Sequence, residues 1–120
     1  MAMLPTQRTL QYLRDQGHSA GVVERYNSHS RTRHDLFGFI DIVAIVDGQI
    51  VGIQCTSTAN ISSRCTKIKT ECATEAILWL HAGGLIEVWG WKNYKKSLPD
   101  DRRKWRETVK CLTLGDIYRV

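Results

Sequence analysis

Two apolar runs separated by only two residues constrain this chain more than any other feature of it. Residues 39–46 and 49–56 flank Asp47-Gly48. Asp-Gly is a preferred pair for a two-residue hairpin turn of type I′, which needs positive φ at both central positions. In such a turn Val46 faces Gln49. Stepping back along one strand and forward along the other brings Asp41 directly opposite Gln54, and Phe39 opposite Thr56 on the same face. Directly opposed Cβ atoms lie about 5 Å apart. Asp41 is flanked by Phe39, Ile40, Ile42 and Val43, so both faces of the hairpin read as buried. An ionised carboxylate there is costly unless something compensates it. It is either an aspartate at a strand mouth, satisfied by backbone amides, or a metal ligand whose cation supplies the opposite charge. Gln54, equally out of place in the facing strand, favours a site.

The rest of the pattern surrounds this hairpin with helices. Residues 6–16 read as a short helix with Leu10 and Leu13 on one face and Gly17 as its stop. Residues 21–26 read as a strand, 27–34 as a polar, basic loop, and 57–60 as a second loop. A long helix is expected from Ser62 or Ser63, either of which can cap it. Cys65, Ile68, Cys72, Ala76 and Leu80 form its core stripe, and Gly83-Gly84 ends it. Strands follow over 85–91 and 107–114. The order α-β-β-β-α-β-β makes residues 1–120 one α/β domain with helices on both sides of a sheet. A chain of 120 residues can bury roughly two-thirds of its unfolded surface, enough for a core without staples.

Charge divides the chain. Lys and Arg number 17 against 12 Asp and Glu, a net charge of +5. Residues 1–60 balance, so the whole excess lies in 61–120. Lys92, Lys95, Lys96, Arg102, Arg103, Lys104 and Arg106 are interleaved there with Tyr94 and Trp105. That composition can hold phosphates and stack on bases, or can be a solvated turn. Arg31 and Arg33 in the 27–34 loop, and Arg64 in the long helix, are further candidate nucleic-acid contacts. Trp79, Trp89, Trp91 and Trp105 are many for so short a chain. They suit an interface, although Trp79 and Trp89 also suit a core. Cys55, Cys65, Cys72 and Cys111 form no Cys-x-x-Cys pair and follow no signal peptide. They read as reduced, buried thiols of a cytoplasmic protein. The scattered histidines offer no zinc spacing, and no apolar run is long enough to span a membrane.

Asp41, the Asp-Gly turn, Gln54-Cys55-Thr56 at the end of the facing strand, and the long helix together resemble the PD-(D/E)XK nuclease superfamily. The stretch from Arg33 to Asp41 is similar to small phage and bacterial members, of the Holliday-junction-resolvase or VRR type. The resemblance covers about residues 6–91. It implies a restriction-endonuclease-like αβββαβ core, a mixed sheet flanked by helices. It implies that Asp41 is the metal-binding aspartate and that Gln54 holds the Glu or Asp position, where some branches carry glutamine. Cys55 takes the position whose backbone carbonyl helps bind metal. Thr56 takes the lysine position, a departure that Lys67 or Arg64, near the start of the long helix, could offset. Glu24 matches the further acidic residue; it or Asp35 would add the carboxylate that a Mg²⁺ or Mn²⁺ site needs beside neutral Gln54. The implied function is metal-dependent hydrolysis of phosphodiester bonds in DNA, branched or single-stranded, with RNA an open alternative and a homodimer needed to cut both strands. The competing readings are a non-catalytic nucleic-acid-binding protein on a nuclease-derived fold, and a small phage-encoded inhibitor that binds protein.

Overall fold

The computed structural model describes residues 3–94 and 104–118. Helix α1 (Pro5–Asp15) starts on a proline, whose fixed φ suits the first helical turn, and Gly17 at φ +88° lets the chain leave it. A five-stranded sheet follows, in the order β1 (Ser19–Val22), β4 (Ile42–Val46), β5 (Gln49–Ser57), β6 (Leu85–Asn93), β7 (Trp105–Leu112). All neighbours are antiparallel except β5 and β6, which run parallel. A separate two-stranded ribbon, β2 (Arg25–Asn27) with β3 (Thr32–His34), is inserted between β1 and β4. A 3₁₀ turn (Thr58–Asn60), α2 (Ile61–Thr70) and α3 (Ala73–His81) make the crossover that parallel pairing demands. A short α4 (Leu114–Tyr118) ends the described chain.

The sheet separates two cores. Leu10 and Leu13 of α1 cover Ile42, Ala44, Val51, Ile53, Trp89 and Trp91. On the other face Cys65, Ile68, Cys72, Ala76 and Ile117 cover Ile40, Ile86, Val88 and Leu112. Side chains alternate along a strand. Since Ile53 and Cys55 belong to the α1 side, Gln54 and Thr56 project to the α2 side. The molecule is thus an α/β protein with a five-stranded mixed sheet and helices on both faces.

The hairpin forms in the expected register. Val46 pairs with Gln49, and Asp47 (φ +51°) and Gly48 (φ +78°) both take the left-handed geometry of a type I′ turn. The first strand begins three residues late, however. Phe37 (φ +56°) and Gly38 (φ +87°) turn the chain, and Leu36 bridges to Ile40. Phe39 is therefore buried in the α2-side core instead of pairing with Thr56, which pairs with Gly90.

Other expectations also change. The strand over 21–26 is split between β1 and β2, and the loop over 27–34 is the turn and second strand of the ribbon. The long helix breaks at Glu71-Cys72, where Cys72 leaves helical geometry (φ −116°, ψ 19°) and aims its thiol at the Gly38 carbonyl, 3.6 Å away. That bend keeps the Cys65–Ile68–Cys72–Ala76 stripe buried in two shorter helices. Neither Ser62 nor Ser63 caps it; α2 begins one residue earlier, after Asn60. The last strand ends at Leu112, because Thr113 and Asp116 form a reciprocal cap on α4: the Thr113 N–H donates to Asp116 Oδ2 (2.8 Å) and the Asp116 N–H to Thr113 Oγ1 (3.3 Å). Cys111 is exposed rather than buried; the other three thiols are buried as expected.

Gly90 lies where β6 passes beneath the 3₁₀ turn, and a Cβ there would sit 2.8 Å from the Thr58 Cα. Backbone cannot yield as a side chain can. We expect Gly90→Ala to cost about 1–3 kcal/mol in a denaturant titration. Gly21→Ala, with nothing within 4 Å, should change stability far less.

Candidate metal centre

Three carboxylates converge where β1, β4 and the ribbon meet. The Val23 N–H donates to the Asp41 carbonyl (2.8 Å), extending the β1–β4 pairing by one residue, so Glu24 emerges beside Asp41. The Leu36 N–H donates to the Ile40 carbonyl (2.9 Å) and closes a tight loop that returns Asp35 to the same place. One carboxylate oxygen from each of Glu24, Asp35 and Asp41 lies within 4.8 Å of the others. Asp41 is 3% exposed; Glu24 and Asp35 are half-buried.

Gln54 ties the cluster together. Its Nε2 donates to Asp41 Oδ2 (2.9 Å) and to Asp35 Oδ2 (3.3 Å). The Cys55 N–H donates to the same Asp41 oxygen (2.8 Å). Gln54 Oε1 is buried and has no hydrogen-bond partner among the described residues. A buried amide oxygen left unpaired costs roughly 1–3 kcal/mol, so its position calls for a partner.

Burial, above all, and the Asp35 carboxyl beside it push the Asp41 carboxyl up to about 8, against the pull of the Cys55 N–H and the Gln54 amide. With no cation, Asp41 is therefore mostly protonated at neutral pH. A proton or a cation must neutralise this corner of the sheet. Cys55 contributes through its backbone only, because burial pushes its thiol up to about 12.

The other expected site residues distribute unevenly. Thr56 is buried and carries no charge. Arg64 and Lys67 lie half-buried on α2 and make no hydrogen bond or ion pair to the cluster among the described residues. Lys67 is nevertheless on its side of the sheet, since the Cys72 thiol feels both Lys67 and Asp35. Arg33, read from sequence as a nucleic-acid contact, places Nη1 3.4 Å from Glu24 Oε1. Nothing in the sequence around Arg33 pointed to that pairing, because it depends on the ribbon folding back. Arg31 is exposed at the ribbon's tip. Lys92 and Arg106 are paired across β6 and β7, both near the Tyr94 ring, and Lys104 adjoins them. Lys95, Lys96, Arg102 and Arg103 lie outside the described residues. Arg8, which the sequence did not single out, stacks over Trp105 at 4.1 Å.

Comparison of the chain with protein-family models, curated proteins and solved structures gives no match. The fold and site define a class: an α/β protein whose mixed sheet carries, at one corner, an oxygen-rich carboxylate cluster able to hold a metal ion. Among the described residues no helix is long and apolar enough to cross a membrane.

A raised carboxyl pKa favours the folded state most at low pH, below the unfolded value of 3.8, and that contribution is lost as pH rises toward about 8. Metal-free protein should therefore lose stability across this window relative to Asp41→Asn, with a difference in slope of up to about 1.4 kcal/mol per pH unit. Thermal melts of both proteins in chelator at several pH values check this. Parallel curves would exclude the buried, proton-binding carboxyl.

Proposed function

We propose that this chain is a metal-dependent nuclease of the restriction-endonuclease-like class, hydrolysing phosphodiester bonds in DNA. The observation that carries the reading is the convergence of Glu24, Asp35 and Asp41 around an amide whose buried oxygen lacks a partner. The donors are all oxygen, which suits Mg²⁺ or Mn²⁺. Glu24, Asp35 and Asp41 would hold the ion. Gln54, with its amide turned end for end, would present Oε1 to the ion in place of Nε2. The order α1, β1, β4, β5, α2–α3, β6 supports the class, with the β2–β3 ribbon as an insertion.

A divalent cation held by Glu24, Asp35 and Asp41 would supply Lewis-acid chemistry to a phosphate and to a bound water. The chain's own residues do the rest. The Cys55 N–H and the β4–β5 pairing fix Asp41, so the ligand needs no rearrangement. Thr56 brings no positive charge to the lysine position. The Arg33 guanidinium, 3.4 Å from Glu24 Oε1 at the cluster rim, would meet negative charge that develops on a phosphate. Asp41, mostly protonated without metal, must release its proton to bind a cation, so metal affinity rises with pH.

The test is cleavage of single-stranded, duplex and branched DNA in Mg²⁺ or Mn²⁺, beside Asp41→Asn. We expect metal-dependent products that fall to background in the variant, since the substitution keeps shape and removes the charge. Mn²⁺ should activate better than Mg²⁺. Gln54→Glu should tighten metal binding in calorimetry, and Thr56→Lys should raise the rate if the missing lysine limits it. The uncharged Thr56 favours one second reading, a nucleic-acid-binding protein without catalysis; binding with no cleavage in any metal would select it.

A further inference from the structure

We infer that the β2–β3 ribbon is an arm that grips the phosphate backbone of duplex nucleic acid beside the carboxylate cluster. This deepens the nuclease reading and rests on it for the kind of polymer. Every residue of both ribbon strands is exposed, so burial does not explain the ribbon. An isolated two-stranded hairpin is marginal in water, and this one is ordered by local polar bonds. Asn27 Oδ1 accepts from the His29 N–H (2.9 Å) and the Ser30 N–H (3.3 Å), and the Thr32 hydroxyl links Ser30 to His34.

Charge gives the ribbon its direction. Residues 25–34 contain Arg25, Arg31 and Arg33 and no Asp or Glu. One simple account is that these arginines offset the acidic cluster. Arg33 does so, through Glu24. Arg25 and Arg31 do not: neither guanidinium makes a hydrogen bond or ion pair to any described residue. Two uncompensated guanidinium groups on an exposed ribbon suit phosphate oxygens, which Arg binds in a bidentate way. A two-stranded ribbon also matches the width of a duplex major groove. The root of the arm adds the link to the site. Glu24 and Asp35, the residues immediately before and after the ribbon, are both members of the cluster. Whatever the ribbon holds is thereby held next to Asp41.

The experiment is fluorescence anisotropy of a labelled duplex of about 20 base pairs against the full chain, in EDTA, over a range of salt. The arm variant is R25Q/R31Q. The control is K69Q/K110Q, which removes the same charge from the α2–β7 side of the molecule. We expect the arm variant to lose about tenfold in duplex affinity, with its log–log salt slope smaller by about 2, as loss of two phosphate contacts requires. The control should stay near wild type, and R25K/R31K should recover most of the affinity. Equal losses in arm variant and control would overturn the inference. So would an unchanged slope, a loss confined to single-stranded DNA, or displacement of the duplex by polyglutamate as readily as by unlabelled duplex. Because binding is read without metal, failure of cleavage in the Asp41→Asn comparison would sink the nuclease reading and leave this result standing.

Discussion

The register of the β4–β5 hairpin is the constraint on which the site depends. A type I′ turn leaves no freedom in how the two strands align, and a slip of one residue would send every side chain to the opposite face. With Val46 opposite Gln49, the Asp41 N–H reaches the Ile53 carbonyl at 2.8 Å, and Gln54 meets the Asp41 carboxyl at 2.9 Å. A slip of one residue would turn the Asp41 side chain away from Gln54 and toward the α1 face. The most polar corner of the sheet is thus held in place by its most regular element.

That corner also explains why so costly an arrangement survives. Asp41 is nearly inaccessible, it lies beside a second carboxyl, and its own amide partner has an unpaired oxygen. Each of these opposes folding on its own, and a cation between the carboxylates would offset the buried charge. A cluster serving stability alone would be served better by apolar residues of similar volume. The energetic conflict is local; the surrounding sheet is well packed and pays for it.

Three of the tryptophans are structural, Trp89 and Trp91 on the α1 face and Trp79 on the α2 face. Trp91 Nε1 donates to Thr9 Oγ1 (2.9 Å), and that hydroxyl in turn donates to the Pro5 carbonyl (2.9 Å), tying the first turn of α1 to β6. Tyr12 meets the edges of both Trp89 and Trp91, with ring centroids 5.5 and 5.9 Å away. Trp79 packs over Gly52 and Gly84 and donates to the Leu85 carbonyl (2.8 Å). Trp105, half-buried, stacks under Arg8.

Local chemistry determined much of this by itself. Asp47-Gly48 dictates its turn, the turn dictates the pairing of Asp41 with Gln54, and the period of Leu10 and Leu13 dictates which side of α1 is buried. Such features depend on residues close in sequence, whose steric and hydrogen-bonding preferences act before any long-range contact forms. The capping pair Thr113 and Asp116 is equally local, although the sequence up to Leu114 reads as a longer strand. Tertiary structure alone decided the rest. Glu24 and Asp35 become neighbours only because β1 pairs with β4 and the ribbon returns between them. The helix breaks at Cys72 because that residue packs against the Gly38 turn, more than thirty positions away. Arg33 joins Glu24, and the Asp41 carboxyl holds its proton, only once the sheet has closed and water has left. Distances between remote residues, and the desolvation that sets their charge, are properties of the packed molecule that no local pattern encodes.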